Sequence, residues 1–474
     1  MSRRTRKHRL KRVPRWLDER LGVARVATGA LRKIFPNHWS FLLGEVALYS
    51  FVVLIVTGVF LTFFFDASTD VTTYQGSYEP LRGVEVSRAY ESALDLSFDV
   101  RAGLVMRQMH HWAALVFVAA IVVHLARVFF TGAFRRPREL NWLIGLTLML
   151  LAIVNGFAGY SLLDDQLSGT GVRIAYSVLL AVPLVGPWLA SLLFGGGFPG
   201  DDIVPRLFVI HILIVPVAIG ILISAHLGLL IRHKHTHFPG NGARNDNVVG
   251  ERLWPTYTFK AGGLFFLVAA VLALLGGLVQ INPIWIYGPF RPENVSSASQ
   301  PDWYMGWLDG ALRLMPNWEW EGWGYQIPNP FWGAVLLPGI TFVLLYAWPW
   351  IEARVTKDHR EHHVLDRPRD RPMRTALGVT TLTFYTILGV AASNDVLALA
   401  LGVSLNAILI ALRVLLIVVP PIAGYAAYRL CKELQKRDGA FVDPHFVEPA
   451  IGGDGHDVGR VEDEHRTRAD LPTS

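Results

Sequence analysis

The alternation of apolar and polar positions divides the chain into eight long apolar runs separated by polar loops. They lie at roughly Trp39–Phe65, Gly103–Phe130, Asn141–Tyr160, Ile203–Ile231, Phe259–Ile281, Pro330–Trp350, Thr375–Ser393 and Gly402–Leu430. Each holds about 20 residues or more, enough to cross the hydrocarbon of a bilayer as one α-helix. A helix satisfies its own backbone there, which an isolated extended segment cannot. The last run contains Arg413, Pro420 and Pro421 and is expected to bend, with Val396–Leu401 before it as a separate short piece. The expected fold is all-α: a polytopic transmembrane helix bundle of about eight spans. Between the third and fourth runs, Leu162–Gly171 and Phe194–Asp202 flank the proline-punctuated apolar piece Ile174–Leu193. That piece is expected to form re-entrant or interfacial helices.

Composition agrees with a membrane protein. Of 474 residues, 52% are hydrophobic and 17% charged, with a mean hydropathy of +0.35. The single cysteine, Cys431, excludes a disulfide framework, a cysteine-ligated iron–sulfur cluster and a C-x-x-C-H haem attachment site. Such centres would have to sit on a partner. The net charge of +6 is unevenly placed. Eight Lys/Arg crowd the first fifteen residues without the apolar core and cleavage site of a signal peptide. A tether to anionic lipid suits them better than a nucleic-acid arm, and Trp16–Pro36 has the pattern of a helix lying along the surface. Loops 135–138, 232–260 and 354–374 and the tail from Lys432 are basic. Loops 66–102, 161–202, 282–329 and 393–401 are acidic. The positive-inside rule places both termini in the cytoplasm.

Arg107 to Arg127 reads RQMHHWAALVFVAAIVVHLAR, an apolar run carrying three histidines. Intramembrane histidines are costly and usually functional. His110 and His124, fourteen apart, fall within about 40° of one face and roughly 21 Å apart along the axis. His111 falls near the opposite face from His124 and reads as a bystander. In the fourth run His211 and His226 are fifteen apart, about 60° off one face, with Pro216 between them to bend the helix. Two helices with two stacked histidines each could hold two six-coordinate haems, one above the other. Helix direction would pair His110 with His211 at the outer level and His124 with His226 at the inner. The bland alternative is four satisfied core histidines, and two matched pairs argue against it. Gly44/Gly58 and Gly145/Gly159 repeat the fourteen-residue spacing, as a flat macrocycle wedged between helices would require; ordinary helix contacts also use glycine. The outer loop Asn282–Asn329 is dense in Trp, Pro and acids. Asp302, Asp309, Glu319 and Glu321 suggest a pocket with a proton acceptor at its mouth rather than a plain aromatic belt.

Together these motifs resemble cytochrome b of the cytochrome bc1 (b6f) family, the quinol–cytochrome c oxidoreductases. Pro137, Arg206 five residues before His211, and Gly196-Gly197-Phe198 add to the match. So does Pro301-Asp302-Trp303-Tyr304, where the family has Pro-Glu-Trp-Tyr. The resemblance covers roughly residues 35 to 350 and, more loosely, the last two helices. It implies a basic N-terminal segment (1–38), a di-haem four-helix core (39–258), two helices with the outer quinol-site loop (259–350), two C-terminal spans (351–430) and a polar tail (431–474). It further implies two haems b, low-potential outside and high-potential inside, and two quinone sites. Arg107 and Arg127 match positions that face haem propionates, a role compatible with snorkelling cations, and Arg206 joins the cofactor-binding set. Asp302, Tyr304 and Asp309 would serve the outer site, with the two aspartates as a proton relay. His235 and Lys260 would serve the inner one.

The departures are specific. Asp302 is one carbon shorter than the family glutamate, Leu163-Asp164-Asp165-Gln166 replaces Leu-Pro-Trp-Gly-Gln, Ile231 stands where a histidine is usual, and Ala261 replaces an aspartate. His233, His235 and His237 follow Ile231. The fifteen-residue spacing and the PDWY variant resemble the high-GC Gram-positive branch, which implies menaquinol as substrate and the bacterial plasma membrane as location. Implied partners are a Rieske-type iron–sulfur subunit, a cytochrome c subunit and a terminal oxidase, in a dimeric complex. Two alternatives stay open. One is the di-haem membrane anchor of a formate dehydrogenase or hydrogenase; the other is a transporter with a histidine proton relay.

Overall fold

Most of the helices begin at or within a few residues of a proline or a capping side chain, and their order follows the apolar runs closely. The computed structural model describes residues 18–20, 31–240, 242–294, 299–322 and 324–437. The basic first fifteen residues, most of Trp16–Pro36 and the tail beyond Arg437 lie outside the described residues. In chain order the helices are α1 Leu42–Thr62, α2 Arg88–Phe98, α3 Gly103–Thr131, α4 Glu139–Tyr160, α5 Gln166–Leu180, α6 Gly186–Phe194 and α7 Ile203–His233. Then come α8 Thr258–Leu278, α9 Ile284–Tyr287, α10 Trp303–Leu314, α11 Leu337–Thr356, α12 Pro372–Ala391, α13 Asn394–Leu401 and α14 Leu405–Arg437.

Among the described residues seven helices are long and apolar enough to cross a membrane, and the α12–α13 pair, bent by 67°, brings the number to eight when it is counted as one broken span. Large apolar side chains stand outward along them, among them Leu278, Val343 and Ile417, as lipid-facing positions do. The chain is a multi-pass membrane protein. Its ends are called inner and outer here after the charge asymmetry of the loops. The last helix runs past the expected end at Leu430 to Arg437.

Two helices of the outer layer differ from expectation. The first helix of the piece expected at Ile174–Leu193 starts earlier, at Gln166: Asp165 accepts from the Leu167 N–H and Ser168 bonds back to the Asp165 N–H. The sequence reading placed no helix in 66–102, yet Ser87 caps α2 through the Tyr90 N–H. Tyr90 and Leu94 on α2 are fully buried, and the Tyr90 hydroxyl donates to the Ile284 carbonyl. Short antiparallel pairs trim the ends: β1 Ile34–Phe35 with β4 Glu251–Arg252, β2 Val71–Thr73 with β3 Glu85–Ser87, and β5 Trp320–Gly322 with β6 Tyr325–Ile327.

The bundle is built on close approaches. α1 packs along α3, α8 lies against both, α4 pairs with α7, and α12 packs on α10 and α14. Gly276 on α8 brings that helix onto the Met109 backbone, where a Cβ would come within 2.8 Å. At the inner end, Arg374 bonds Glu352 at 3.0 Å and Asp366 at 2.8 Å, and Arg135 reaches Asp366 at 3.1 Å. This buried network ties α11, α12 and the loops at residues 132–138 and 357–371 together.

One irregularity bears on the histidines. Within α7, Ile210–Ile214 forms a π-turn, with the Val215 N–H bonding the Ile210 carbonyl and Pro216 following. A π-turn takes up one extra residue in an α-helix. The fifteen-residue step from His211 to His226 thereby acts as fourteen, and the offset of about 60° becomes the same 40° seen between His110 and His124.

Candidate functional site between α1, α3, α4 and α7

The histidine helices face each other. The His110 and His211 rings stand edge to face, 6.0 Å apart between centroids at 77°, a separation that also suits two imidazoles on opposite sides of one metal ion. The Nδ1 of His110 lies 2.9 Å from Thr57 Oγ1, and the Nδ1 of His211 lies 2.9 Å from the Asn155 carbonyl. Bonding at Nδ1 leaves Nε2 as the nitrogen that a neutral imidazole could offer to a metal. Thr57 is buried and was not legible as an orienting group. At the inner level His124 and His226 are enclosed, each with a buried Nδ1 lacking a partner among the described residues.

Each of the four spaced glycines meets one of these rings. A Cβ on Gly58 would come 3.2 Å from His110 Cε1, and one on Gly44 3.2 Å from His124 Cε1. A Cβ on Gly145 would sit 3.6 Å from His226 Cε1, and one on Gly159 would collide with His211. The glycines thus make room for imidazoles, as well as whatever they give a macrocycle. Buried cations sit at both levels. Arg107 donates to the Asn282 carbonyl at 3.2 Å, but its Nε and one terminal nitrogen are buried without partners among the described residues. Arg127 lies over the Phe41 ring at 4.1 Å with one terminal nitrogen similarly left over. Two stacked imidazole pairs, glycine-backed, each with an under-satisfied guanidinium, fit a haem with anionic propionates at each level. Arg206 belongs to a different setting. It is paired with Asp202 at 2.7 Å and donates to the Leu192 carbonyl, which ties the α6–α7 loop instead of joining this set.

The outer loop brings two of its three expected residues together. Asp302 precedes the first turn of α10, and its carboxylate accepts from the Tyr304 hydroxyl at 3.0 Å and meets His111 Nε2 at 2.8 Å. Tyr304 is buried, with its hydroxyl against Gly156 of α4, where a Cβ would come 2.5 Å away. His111 is therefore no bystander to the outer site, and neither it nor Gly156 was identified from the sequence. Asp309 shares no contact with Asp302. It pairs with Arg313 at 2.8 Å, and Arg313 also reaches Asp395 at 3.2 Å and Asn394 at 2.9 Å, so these groups lock α10 to α13. Burial raises the Asp309 pKa and the guanidinium opposes it.

At the inner end, His235 packs against Phe35 with centroids 4.4 Å apart, and its Nε2 is buried without a partner among the described residues. Burial, with Arg138 and Arg127 nearby, pushes its pKa down to about 4, so the ring is neutral at physiological pH. Lys260 is half-exposed and engaged by Glu251 at 2.8 Å and Asn37 at 3.3 Å. It closes the α8 end of the β1–β4 pair and points to a structural task.

This architecture defines a membrane bundle with two bis-histidine levels between four helices. Residues 115–289 match the family profile described as cytochrome b (N-terminal)/b6/petB. The chain is 53% identical over 436 residues to the cytochrome bc1 complex cytochrome b subunit of Mycobacterium tuberculosis, covering 92% of this chain and 79% of that one. It is 51% identical to the Streptomyces coelicolor subunit (90% and 78%) and 48% identical to that of Corynebacterium diphtheriae (93% and 85%). A solved structure titled hyperthermophilic respiratory Complex III superposes with a TM-score of 0.62 at 21% identity, covering 87% of this chain and 99% of that one, a likeness of fold. The chain belongs to the cytochrome b subunit family of the cytochrome bc1 complex.

Proposed function

We propose that the chain is the cytochrome b subunit of a menaquinol–cytochrome c oxidoreductase, part of a multi-subunit complex in the bacterial plasma membrane. The carrying observation is the pair of glycine-backed imidazole levels, outer His110/His211 and inner His124/His226, with the Asp302–Tyr304–His111 group beside the outer one. Two haems b held by these histidines would supply one-electron carriers at two depths in the membrane.

The chain's own residues do the rest. At the outer site the Asp302 carboxylate accepts a hydroxyl proton from the quinol and passes it to outside water. His111 and the Tyr304 hydroxyl hold that carboxylate in place. One electron leaves to a Rieske-type iron–sulfur subunit and on to a cytochrome c subunit. The other crosses to a quinone at the inner face, where His235 donates a hydrogen bond. Arg107 and Arg127 would neutralise propionates at the two levels. Asp309, held by Arg313, serves as a further acceptor on the way out. Dimerisation of the complex and coupling to a terminal oxidase belong to the same reading. The test is a reduced-minus-oxidised visible spectrum with haem quantitation on the purified protein, followed by menaquinol addition. Two b-type haems per chain, both reduced by menaquinol, are expected. Absence of haem absorbance would remove the reading.

A further inference from the structure

Glu45 lies in the first turn of α1, one residue after the glycine that meets His124. A carboxylate inside a membrane helix is costly and is kept where it has a task. The partners of its two oxygens are phenols: Tyr257 donates to Oε1, and Tyr49 donates to Oε2 at 3.3 Å. Tyr257 belongs to the π-turn Leu253–Tyr257 that leads into α8 at the inner face. Its ring packs on Phe35 with centroids 4.6 Å apart, and Phe35 lies 4.4 Å from the ring of His235. One aromatic ring is thus flanked by a partnerless imidazole nitrogen and by a carboxyl–phenol pair. A quinone is a flat ring with a carbonyl oxygen on each of two opposite edges, and this aromatic cluster carries an imidazole on one side of Phe35 and the carboxyl–phenol pair on the other, one polar group for each oxygen.

We propose that Glu45 is the proton donor to the quinone reduced at the inner face, with Tyr257 linking it toward inner water and His235 holding the opposite carbonyl. This rests on the reading of the chain as a quinone-reducing subunit. Reduction adds two electrons and two protons, turning each C=O into C–OH. The electrons arrive singly from across the membrane. The Glu45 O–H bond breaks, its proton forms an O–H bond on one quinone oxygen, and the carboxylate is re-protonated from the inner aqueous phase. The second proton reaches the other oxygen from inner water on the His235 side. Lys260, one turn beyond Tyr257, is occupied by Glu251 and is left out of this step.

The test uses the intact complex. Glu45→Gln keeps the size of the side chain and can still bond both phenols, but it holds no transferable acid proton. After the reduced complex is mixed with a soluble naphthoquinone, inner-haem re-oxidation should slow by ~10²-fold, within the range for a lost general acid. Haem content and spectra should stay normal, and Asp302→Asn alone controls for oxidation through the outer site. Redox-induced infrared difference spectra should show a carboxyl C=O band in the parent that is missing in Glu45→Gln. Parent-rate re-oxidation in Glu45→Gln, or an unchanged carboxyl band, overturns the assignment. Should Glu45→Gln fail to assemble, Tyr257→Phe removes one hydroxyl only. It is expected to slow the same step by about tenfold, and a normal rate there overturns the assignment equally. A parent protein whose haems neither quinol reduces nor quinone re-oxidises would instead sink the functional reading itself.

Discussion

His111 Nε2 stands 2.8 Å from Asp302 Oδ1, joining residues 191 apart in the chain and fastening the outer loop to the first histidine helix. His110, its neighbour, turns toward α7 instead. A one-residue step, about 100° around the helix, separates a ring facing His211 from a ring bonded to the Asp302 carboxylate. Asp302→Asn should slow quinol-dependent cytochrome c reduction by ~10²-fold with both haems spectrally intact. His111→Ala should also leave both haems in place and slow the same reaction by about tenfold, through loss of the carboxylate's orientation. Asp309→Asn should have the smaller effect of the two aspartates. Unchanged turnover in all three would sink the assignment of this group to quinol oxidation.

The ligand assignment separates the two levels. His110→Ala or His211→Ala should remove only the outer haem, and His124→Ala or His226→Ala only the inner one, because each iron needs an imidazole on both faces. Haem quantitation with resolved difference spectra reads this directly. Loss of the same haem in His110→Ala and His226→Ala would show that the pairing is wrong.

The glycines should fall in a graded order. A Cβ at Gly145 makes only ordinary contact at 3.6 Å, so Gly145→Ala should retain the inner haem. Gly44→Ala and Gly58→Ala press at 3.2 Å and should shift spectra of the inner and outer haem respectively. Gly159→Ala drives a methyl into the His211 ring and should cost the outer haem. Equal behaviour of all four alanine variants would mean the ring contacts do not matter.

The inner charge network sets a stability expectation. Burial alone would raise the Asp366 pKa, but Arg135, Arg374 and Arg371 hold it below the usual carboxylate range. A lowered folded value means the contribution is complete above about pH 4, the unfolded carboxylate range. It is lost only as pH falls through the depressed value. Asp366→Asn leaves Arg374 and Arg135 buried with one partner fewer and should cost on the order of 3–5 kcal/mol. Thermal unfolding in detergent between pH 5 and 8 should show a constant deficit; a deficit that appears only at acid pH would contradict the network's role.

Much of this was legible because membrane helices carry their signal locally. Long apolar runs, proline and glycine punctuation and loop charge were enough to place the spans, although the sixth and the last run on to Thr356 and Arg437 beyond their apolar ends. The haem-level histidines stood out by cost, since imidazole inside hydrocarbon needs a reason. What stayed hidden depends on contacts across the fold. His111 gains its meaning from Asp302, Gly156 from the Tyr304 hydroxyl, and Glu45 from Tyr257, 212 residues away. Helix α2 was missed because it is too short to stand out as a span and its partner, Ile284 on α9, lies 194 residues from Tyr90 in the chain. Arg206 and Lys260 were expected at cofactor or quinone through the family resemblance, and in the structure each is paired with a carboxylate that the sequence did not point to, Asp202 and Glu251.

The π-turn at Ile210–Ile214 makes ligand spacing a poor fingerprint for this architecture. Deleting one residue from that turn would let α7 revert to an uninterrupted α-helix with His211 still across from His110. A chain with thirteen intervening residues and one with fourteen would then present the two imidazoles in the same geometry. Histidine positions in space are thus kept while their spacing in the sequence changes by one, and a search by rigid spacing would separate the two chains.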